Sequence, residues 1–115
     1  MIHYSPGDVV LINFPFTDLT GIKQRPVVVI SQTWFNKRST DIIVAAITSK
    51  LPTRYLASDC VLSATEQLAA GLPKRSMVRL GKIVTLDKRL IRKKLGTISP
   101  ETLAKFRIIL LNLHI

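Results

Sequence analysis

The sequence predicts a mainly β fold (α+β by content): a small antiparallel barrel or half-barrel of five or so short strands, with a C-terminal helix covering one opening. Three observations carry this. Short β-branched apolar segments recur along the chain, separated by Gly, Pro and Asp. Only the C-terminal segment has a strong helical apolar stripe. The 115 residues, 47% of them hydrophobic, suffice for one core in a single domain spanning 1–115.

Taken in order, "GDVVLINF" (Gly7 to Phe14) reads as a strand opened by a glycine turn. "PFTDLTGIKQ" (Pro15 to Gln24) is a long loop, with Pro15, Asp18 and Gly21 as turn signals. "RPVVVIS" is a second strand, and Pro26 fits only near its start or on an edge, because it donates no ladder hydrogen bond. Ser31 to Asp41 is polar and connecting. "IIVAAIT" (Ile42 to Thr48) is an apolar strand buried on both faces. A second basic loop, "SKLPTRYLASD", precedes the short strand "CVLS". Ser63 and Glu66 have capping-box spacing and Gly71 offers a stop, so "ATEQLAA" predicts a short helix. "SMVRLGKIVTL" (Ser76 to Leu86) predicts a long strand, with Gly81 marking a bulge or a close approach. "DKRLIRKKLG" reads as a short basic helix or turn, with Asp87 as a cap. The closing helix has Ser99 as N-cap, Pro100 and Glu101 in its first turn, and Leu103, Phe106, Leu110 and Leu113 as its stripe.

Charge is the most informative number. Lys and Arg total 17 against 7 Asp and Glu, a net +10. So basic a domain attracts polyanions, above all nucleic acid, although an acidic protein or an anionic membrane satisfies the same charge. The cations punctuate the apolar strands, at Lys23/Arg25, Lys37/Arg38, Lys50/Arg54, Lys74/Arg75, Arg79/Lys82 and Lys88 to Lys94, so they decorate a folded body and not a tail. The single cysteine, Cys60, forms no internal disulfide and reads as a small core residue compatible with a reducing compartment. The N-terminal "MIHYSPGDVV" lacks signal-peptide character, and no apolar run reaches membrane-spanning length. A cytoplasmic protein is the expectation.

No phosphate-binding glycine loop, dinucleotide fingerprint or nucleophile elbow is present. His3 and His114 lie at opposite ends, outside any motif. Arginines and hydroxyls remain. Arg25 stands between a loop and a β-branched run, Thr48 and Ser49 end a buried strand, and Arg79 lies within another. Singly, each has a bland reading as a surface charge, an ion pair or a turn residue. Together they suit phosphodiester cleavage in RNA, where the substrate supplies its 2′-hydroxyl as nucleophile. A guanidinium fork grips phosphate and stays charged. A threonine hydroxyl donates to a developing oxyanion.

At these residues the chain resembles the MazF/PemK family of toxins from bacterial type II toxin–antitoxin pairs. "GDVVLINF", "RPVVVIS", "VAAITSK", "SMVRLGKIVTLDKRL" and the closing helix occur in the family's order and spacing. The resemblance implies an SH3-like barrel of the CcdB/PemK type, usually a homodimer. It implies a sequence-selective, metal-independent endoribonuclease, without cofactor, that cleaves single-stranded mRNA to a 2′,3′-cyclic phosphate and a 5′-hydroxyl. The implied partners are that RNA and an antitoxin whose disordered acidic segment occupies the RNA groove, with DNA engaged only through the antitoxin.

By position, Arg25 and Thr48 match the family's catalytic arginine and threonine, and Arg79 an arginine of some PemK-type members. Arg25 is then expected to stabilise the pentacovalent phosphate and protonate the leaving group. Expected RNA contacts are Phe14, Lys23, Gln24, Ser49, Lys50, Arg54 and Lys82. The loop reads Gly21-Ile22-Lys23-Gln24 where many members have Gly-x-Glu-Gln, it has no histidine, and Gly81-Lys82 replaces an acidic residue followed by Gln. The acid–base roles are thereby left to Arg25, Thr48 or Arg79. The alternative is a non-catalytic toxin or nucleic-acid-binding module on the same fold, such as a CcdB-like gyrase inhibitor.

Overall fold

In this computed structural model, which describes residues 3–15 and 22–114, the β-branched segments become strands of one antiparallel sheet. The elements are β1 (Asp8–Pro15), β2 (Ile22–Val29), α1 (Thr33–Arg38), β3 (Asp41–Thr48), β4 (Asp59–Val61), α2 (Ala64–Ala69), β5 (Met77–Asp87), a one-turn 3-10 helix (Lys88–Leu90), β6 (Ile91–Thr97) and α3 (Pro100–His114). The strand order is β4-β5-β3-β2-β1-β6.

The connection between β5 and β6 dictates the shape. Four strand spacings of about 4.8 Å would hold these two strands roughly 19 Å apart in a flat sheet. Only Lys88–Leu90 joins them, and a 3-10 turn rises about 2 Å per residue. The sheet must therefore curl. Twist of about 20–25° per strand pair, accumulated over four pairs, turns β5 and β6 nearly perpendicular, so one can run into the other. Register shifts help β1 bend along β6, between Val9 and Val10 and between Leu11 and Ile12. Among the described residues no ladder closes the curl, so the fold is a half-barrel.

Strand alternation then gives two apolar layers. Val10, Ile12, Val27, Val29, Ile42, Val44 and Leu86 pack on one face, with Tyr4, Leu90 and Ile91 against them. Val9, Val28, Ala45, Ile47, Val78 and Leu80 pack on the other, where Leu62, Leu72, Ile98 and Phe106 cover them. With both faces buried, β2 and β3 read as continuous apolar runs. On α3, Phe106 is fully buried and Leu103 and Leu110 pack beside it, but Leu113 is exposed and leaves the predicted stripe. The expected caps are present: Ser99 Oγ accepts from the Thr102 amide at 3.3 Å, and Ser63 and Glu66 form the capping box. Cys60 is half-buried against the α3-side cluster, and burial raises its thiol pKa, which suits the packing role. His3 is exposed.

Several elements differ from expectation. The second strand starts at Ile22, so Pro26 is well inside it. Pro26 pairs only with Leu11, because pairing to β3 begins at Val27 with Ala46, and one side stays without a ladder there. The loop expected over Pro15 to Gln24 is shorter, since Pro15 and Ile22 to Gln24 belong to strands, and residues 16–21 lie outside those described. The segment Ser31 to Asp41, read as connecting, contains α1. This helix is held by tertiary contacts: buried Asn36 donates from Nδ2 to the carbonyls of Tyr4 and Ser31, both at 2.9 Å, and Lys88 Nζ donates to the Asn36 carbonyl at 2.7 Å. The basic run read as helix or turn is one 3-10 turn, capped by Asp87 on the Arg89 amide at 2.8 Å, followed by edge strand β6. Lysine-rich edges of this kind protect an exposed ladder and conceal strand character. The bulge expected at Gly81 is present: β3 pairing jumps from Ile83 to Arg79, leaving Leu80, Gly81 and Lys82 unopposed, and Ser58 lies close over Gly81.

Two glycines fasten α2 to β6. Gly71 has φ +72°, and a Cβ there would stand 2.1 Å from the Leu95 carbonyl oxygen. A Cβ on Gly96 would stand 2.2 Å from the Ala69 carbonyl oxygen. Glu66 adds a second tie, accepting a hydrogen bond from the Thr102 hydroxyl that joins α2 to α3. That bond, with those from Ser63, holds the Glu66 carboxyl below its ordinary range against the opposing effect of partial burial.

Gly71→Ala and Gly96→Ala should each destabilise the fold by more than about 1 kcal/mol in urea titrations, because neither backbone can retreat. Losses near zero in these variants would refute the close packing. The Glu66 contribution is complete above the ordinary glutamate pKa and is lost as pH falls through its depressed value, below 4.5. The stability gap between wild type and Glu66→Gln should therefore narrow with acidification through that range.

Candidate functional site

The alternation of β2 places Arg25 two residues before Val27, and that of β3 places Thr48 two residues after Ala46. Val27 and Ala46 are the last pair of the β2–β3 ladder, so Arg25 and Thr48 stand just beyond the point where these two strands part, with β2 still paired to β1. Both line a groove of about 500 Å³. Its floor is apolar, formed by Leu11, Pro26, Ile47, Leu72 and Leu95, and its walls come from β2, the end of β3, the segment after α2, and β6. The Gly71–Gly96 packing sets the far wall, since it lays Leu72, Pro73 and Lys74 beside Lys93 and Leu95.

The groove is strongly electropositive. Lys23, Arg25, Lys50, Lys74 and Lys93 line it, and no carboxylate is among the described lining residues. Thr48 Oγ1 accepts from the Lys50 amide at 3.1 Å, which fixes the hydroxyl and leaves its own proton to be donated. Gln24 Nε2 reaches Asn13 Oδ1 at 3.4 Å across the β1–β2 pair. Arg25 and Pro26 also border a smaller cavity of about 80 Å³ with Phe14, Ala46 and Val84.

Of the residues expected at the site, Arg25, Thr48, Lys23, Gln24, Ser49 and Lys50 come together in the groove, and Phe14 joins Arg25 at the adjoining cavity. Arg79 does not line it. It faces Asp59, its partner across β4–β5, with Nε 3.8 Å from Oδ1; its side chain is 34% exposed and that of Asp59 is 4%. Nε is buried without a hydrogen bond, so this is a long ion pair stitching β4 to β5. Arg54 and Lys82 are exposed outside the lining, Lys82 in the β5 bulge.

Lys74, Ser76 and Lys93 line the groove without having been singled out for it. Lys74 was visible as part of a basic pair beside Gly71 and Pro73. Lys93 carried no signal, because its run reads as a solvated face until β6 is paired with β1, opposite Leu11. Asp8, the acidic half of the Gly-Asp opening, serves structure: it accepts from the Ser5 amide at 2.9 Å and pairs with Lys94 Nζ at 3.2 Å.

The fold has close counterparts. A MazE–MazF structure (Form-III) from Deinococcus radiodurans matches with a TM-score of 0.77 at 23% identity, covering 97% of this chain and 96% of its own. An endoribonuclease in complex with its cognate antitoxin, from a mycobacterial species, matches with a TM-score of 0.73 at 20% identity over 95% and 92%. The Mycobacterium tuberculosis toxin MazF-mt6 matches with a TM-score of 0.70 at 18% identity over 90% and 93%. The model of the PemK-like, MazF-like toxins of type II toxin–antitoxin systems matches residues 5–113, nearly the whole chain, and the protein belongs to that family.

Proposed function

We propose that the protein is the toxin of a toxin–antitoxin pair and an endoribonuclease that cleaves single-stranded mRNA in the groove holding Arg25 and Thr48. The observation that carries this is one groove combining a guanidinium, a fixed threonine hydroxyl and four lysines, without a carboxylate among its described lining. Such a surface attracts a phosphodiester backbone and repels nothing in it. Relatives of the same fold are an endoribonuclease with its antitoxin and a MazE–MazF pair, which supports the activity and the partner.

In the proposed reaction the 2′-oxygen attacks the adjacent phosphorus as its proton passes to solvent water, which re-protonates Arg25 once the 5′-oxygen has left. Arg25 balances the charge on the pentacovalent phosphate and gives a proton to the departing 5′-oxygen. Thr48 donates to a non-bridging oxygen. The products are a 2′,3′-cyclic phosphate and a 5′-hydroxyl. Since the substrate brings its own nucleophile, this chemistry needs no metal-bound water. Lys23, Gln24, Ser49, Lys50, Lys74 and Lys93 hold the strand, with Phe14 beside Arg25. A disordered acidic antitoxin segment competes for the same cations. A homodimer, cytoplasmic location and contact with DNA only through the antitoxin complete the reading. Among the described residues no helix is long and apolar enough to cross a membrane. Arg79, held by Asp59, supports β4–β5, which favours a two-residue reacting centre.

Primer extension on a long RNA, incubated with protein in EDTA, should show cuts at a short motif, with 5′ ends that a kinase labels directly. Arg25→Ala should slow cleavage by on the order of a hundredfold or more, about 3 kcal/mol of transition-state stabilisation. Full cleavage by that variant would sink the role given to Arg25. RNA left intact by a protein that still arrests growth or supercoiling would establish the non-catalytic alternative. Lys74→Ala and Lys93→Ala should each weaken binding of a non-cleavable strand and reduce its logarithmic salt slope by roughly 0.7. An unchanged slope would remove that lysine from the binding surface.

A further inference from the structure

At the other end of β3 lies a second basic surface that the cleavage chemistry does not use. Thr48 and Asp41 are separated by roughly 23 Å along the strand, at about 3.3 Å per residue. There the curl brings together two basic pairs distant in sequence: Lys37 and Arg38 at the end of α1, and Lys88 and Arg89 in the 3-10 turn. They line a cavity of about 410 Å³ together with Asp87. Arg89 is balanced by Asp87 at 2.9 Å, and Lys88 Nζ donates to the Asn36 carbonyl. Asp41 is the other acid at this end. Lys37 and Arg38 are exposed, with no ion pair among the described residues.

Trp34 precedes them by three and four residues, so the indole and both cations share one side of α1. It is 62% exposed. The Phe35 ring stands edge-on to it, with centroids 5.9 Å apart at 89°. Beneath, the Asn36 network anchors the helix, so the platform is rigid. A lone exposed aromatic is unremarkable. An anchored one flanked by two unpaired cations, next to a basic cavity, has the composition of a stacking platform for a single strand.

We propose that Trp34, Lys37 and Arg38 form an exosite for single-stranded RNA, separate from the groove. One base stacks on the indole, and the neighbouring phosphates lie against the two cations. A nucleotide supplies both halves of the match, a planar base for the indole and a phosphate for the cations, which is why RNA is the assigned occupant. The inference rests on RNA being the substrate of the groove and extends it: the exosite retains a distant stretch of a long transcript while the groove cuts.

Trp34 is the only tryptophan in the chain, so tryptophan fluorescence, excited selectively over the two tyrosines, reports on this surface alone. The probe is 2′-O-methyl oligouridine of about ten nucleotides, a length suited to small single-strand sites, whose blocked nucleophile prevents cleavage. It should quench Trp34 saturably. Lys37→Ala combined with Arg38→Ala should raise the midpoint at least tenfold, and Arg25→Ala should leave it in place. The proposal is overturned by absence of quenching, by a midpoint indifferent to the double variant, by loss of quenching in Arg25→Ala, or by equal quenching with poly-glutamate. The cleavage assay in EDTA reads the groove separately. A protein that cuts RNA without quenching overturns the exosite alone, and one that quenches without cutting overturns the nuclease reading alone.

Discussion

The three-residue link between β5 and β6 is the constraint on which the other features depend. It forces five strands to coil until the outermost pair nearly meet. Coiling makes an inside and an outside, and each needs an apolar layer, so β2 and β3 are apolar on both faces. It also carries the basic strand β6 round beside β1 and brings the 3-10 turn against the end of α1. The bulge in β5 and the register shifts in β1 are the local irregularities through which the sheet accommodates the bend.

Charge follows from this geometry. Cations dispersed along a sequence are individually weak and are screened within about 10 Å at ordinary salt. Lining one groove, Lys23, Arg25, Lys50, Lys74 and Lys93 act together, with the apolar floor limiting access of water to one side. The groove lies where β2 and β3 leave the ladder. Paired strand backbone fixes Arg25 within β2 and Thr48 at the end of β3, while Lys23 and Lys93 come from strands and Lys50 and Lys74 from the segments between elements. Arg79 illustrates the opposite case: it is one residue from buried Val78, but Asp59 across the β4–β5 pair claims it. The same residue type thus serves two purposes, according to which neighbour the ladder provides.

Much of this was legible in the sequence. β-branched runs between turn residues located β1, β2, β3 and β5, because recurrent β-branched apolar residues mark strands, most plainly in β2 and β3, where burial of both faces leaves an unbroken apolar signature. The Ser63–Glu66 capping box and the Ser99 cap located α2 and α3, since capping is a local interaction. What escaped was stabilised from a distance. α1 is a six-residue helix with no side-chain cap bond at Gln32, and buried Asn36 binds it to Tyr4 and Ser31. β6 is a strand because its backbone pairs with β1, which its side-chain pattern does not record. Leu113 fits the helical stripe but lies where α3 has run past the core.

The sequence by itself determined the family, the predominance of β structure, the strongly basic charge, and the candidacy of Arg25 and Thr48, because these rest on composition, local periodicity and short motifs. Tertiary structure alone decided that Arg25 and Thr48 share a groove, that Lys74 and Lys93 also line it, and that Arg79 faces Asp59 outside that lining. It also decided that Lys37 and Arg38 line one cavity with Lys88 and Arg89. The reason is physical. A local pattern records which face of its own element a residue occupies, whereas the partner on that face is chosen by strand order and curvature, which only the closed path of the whole chain sets.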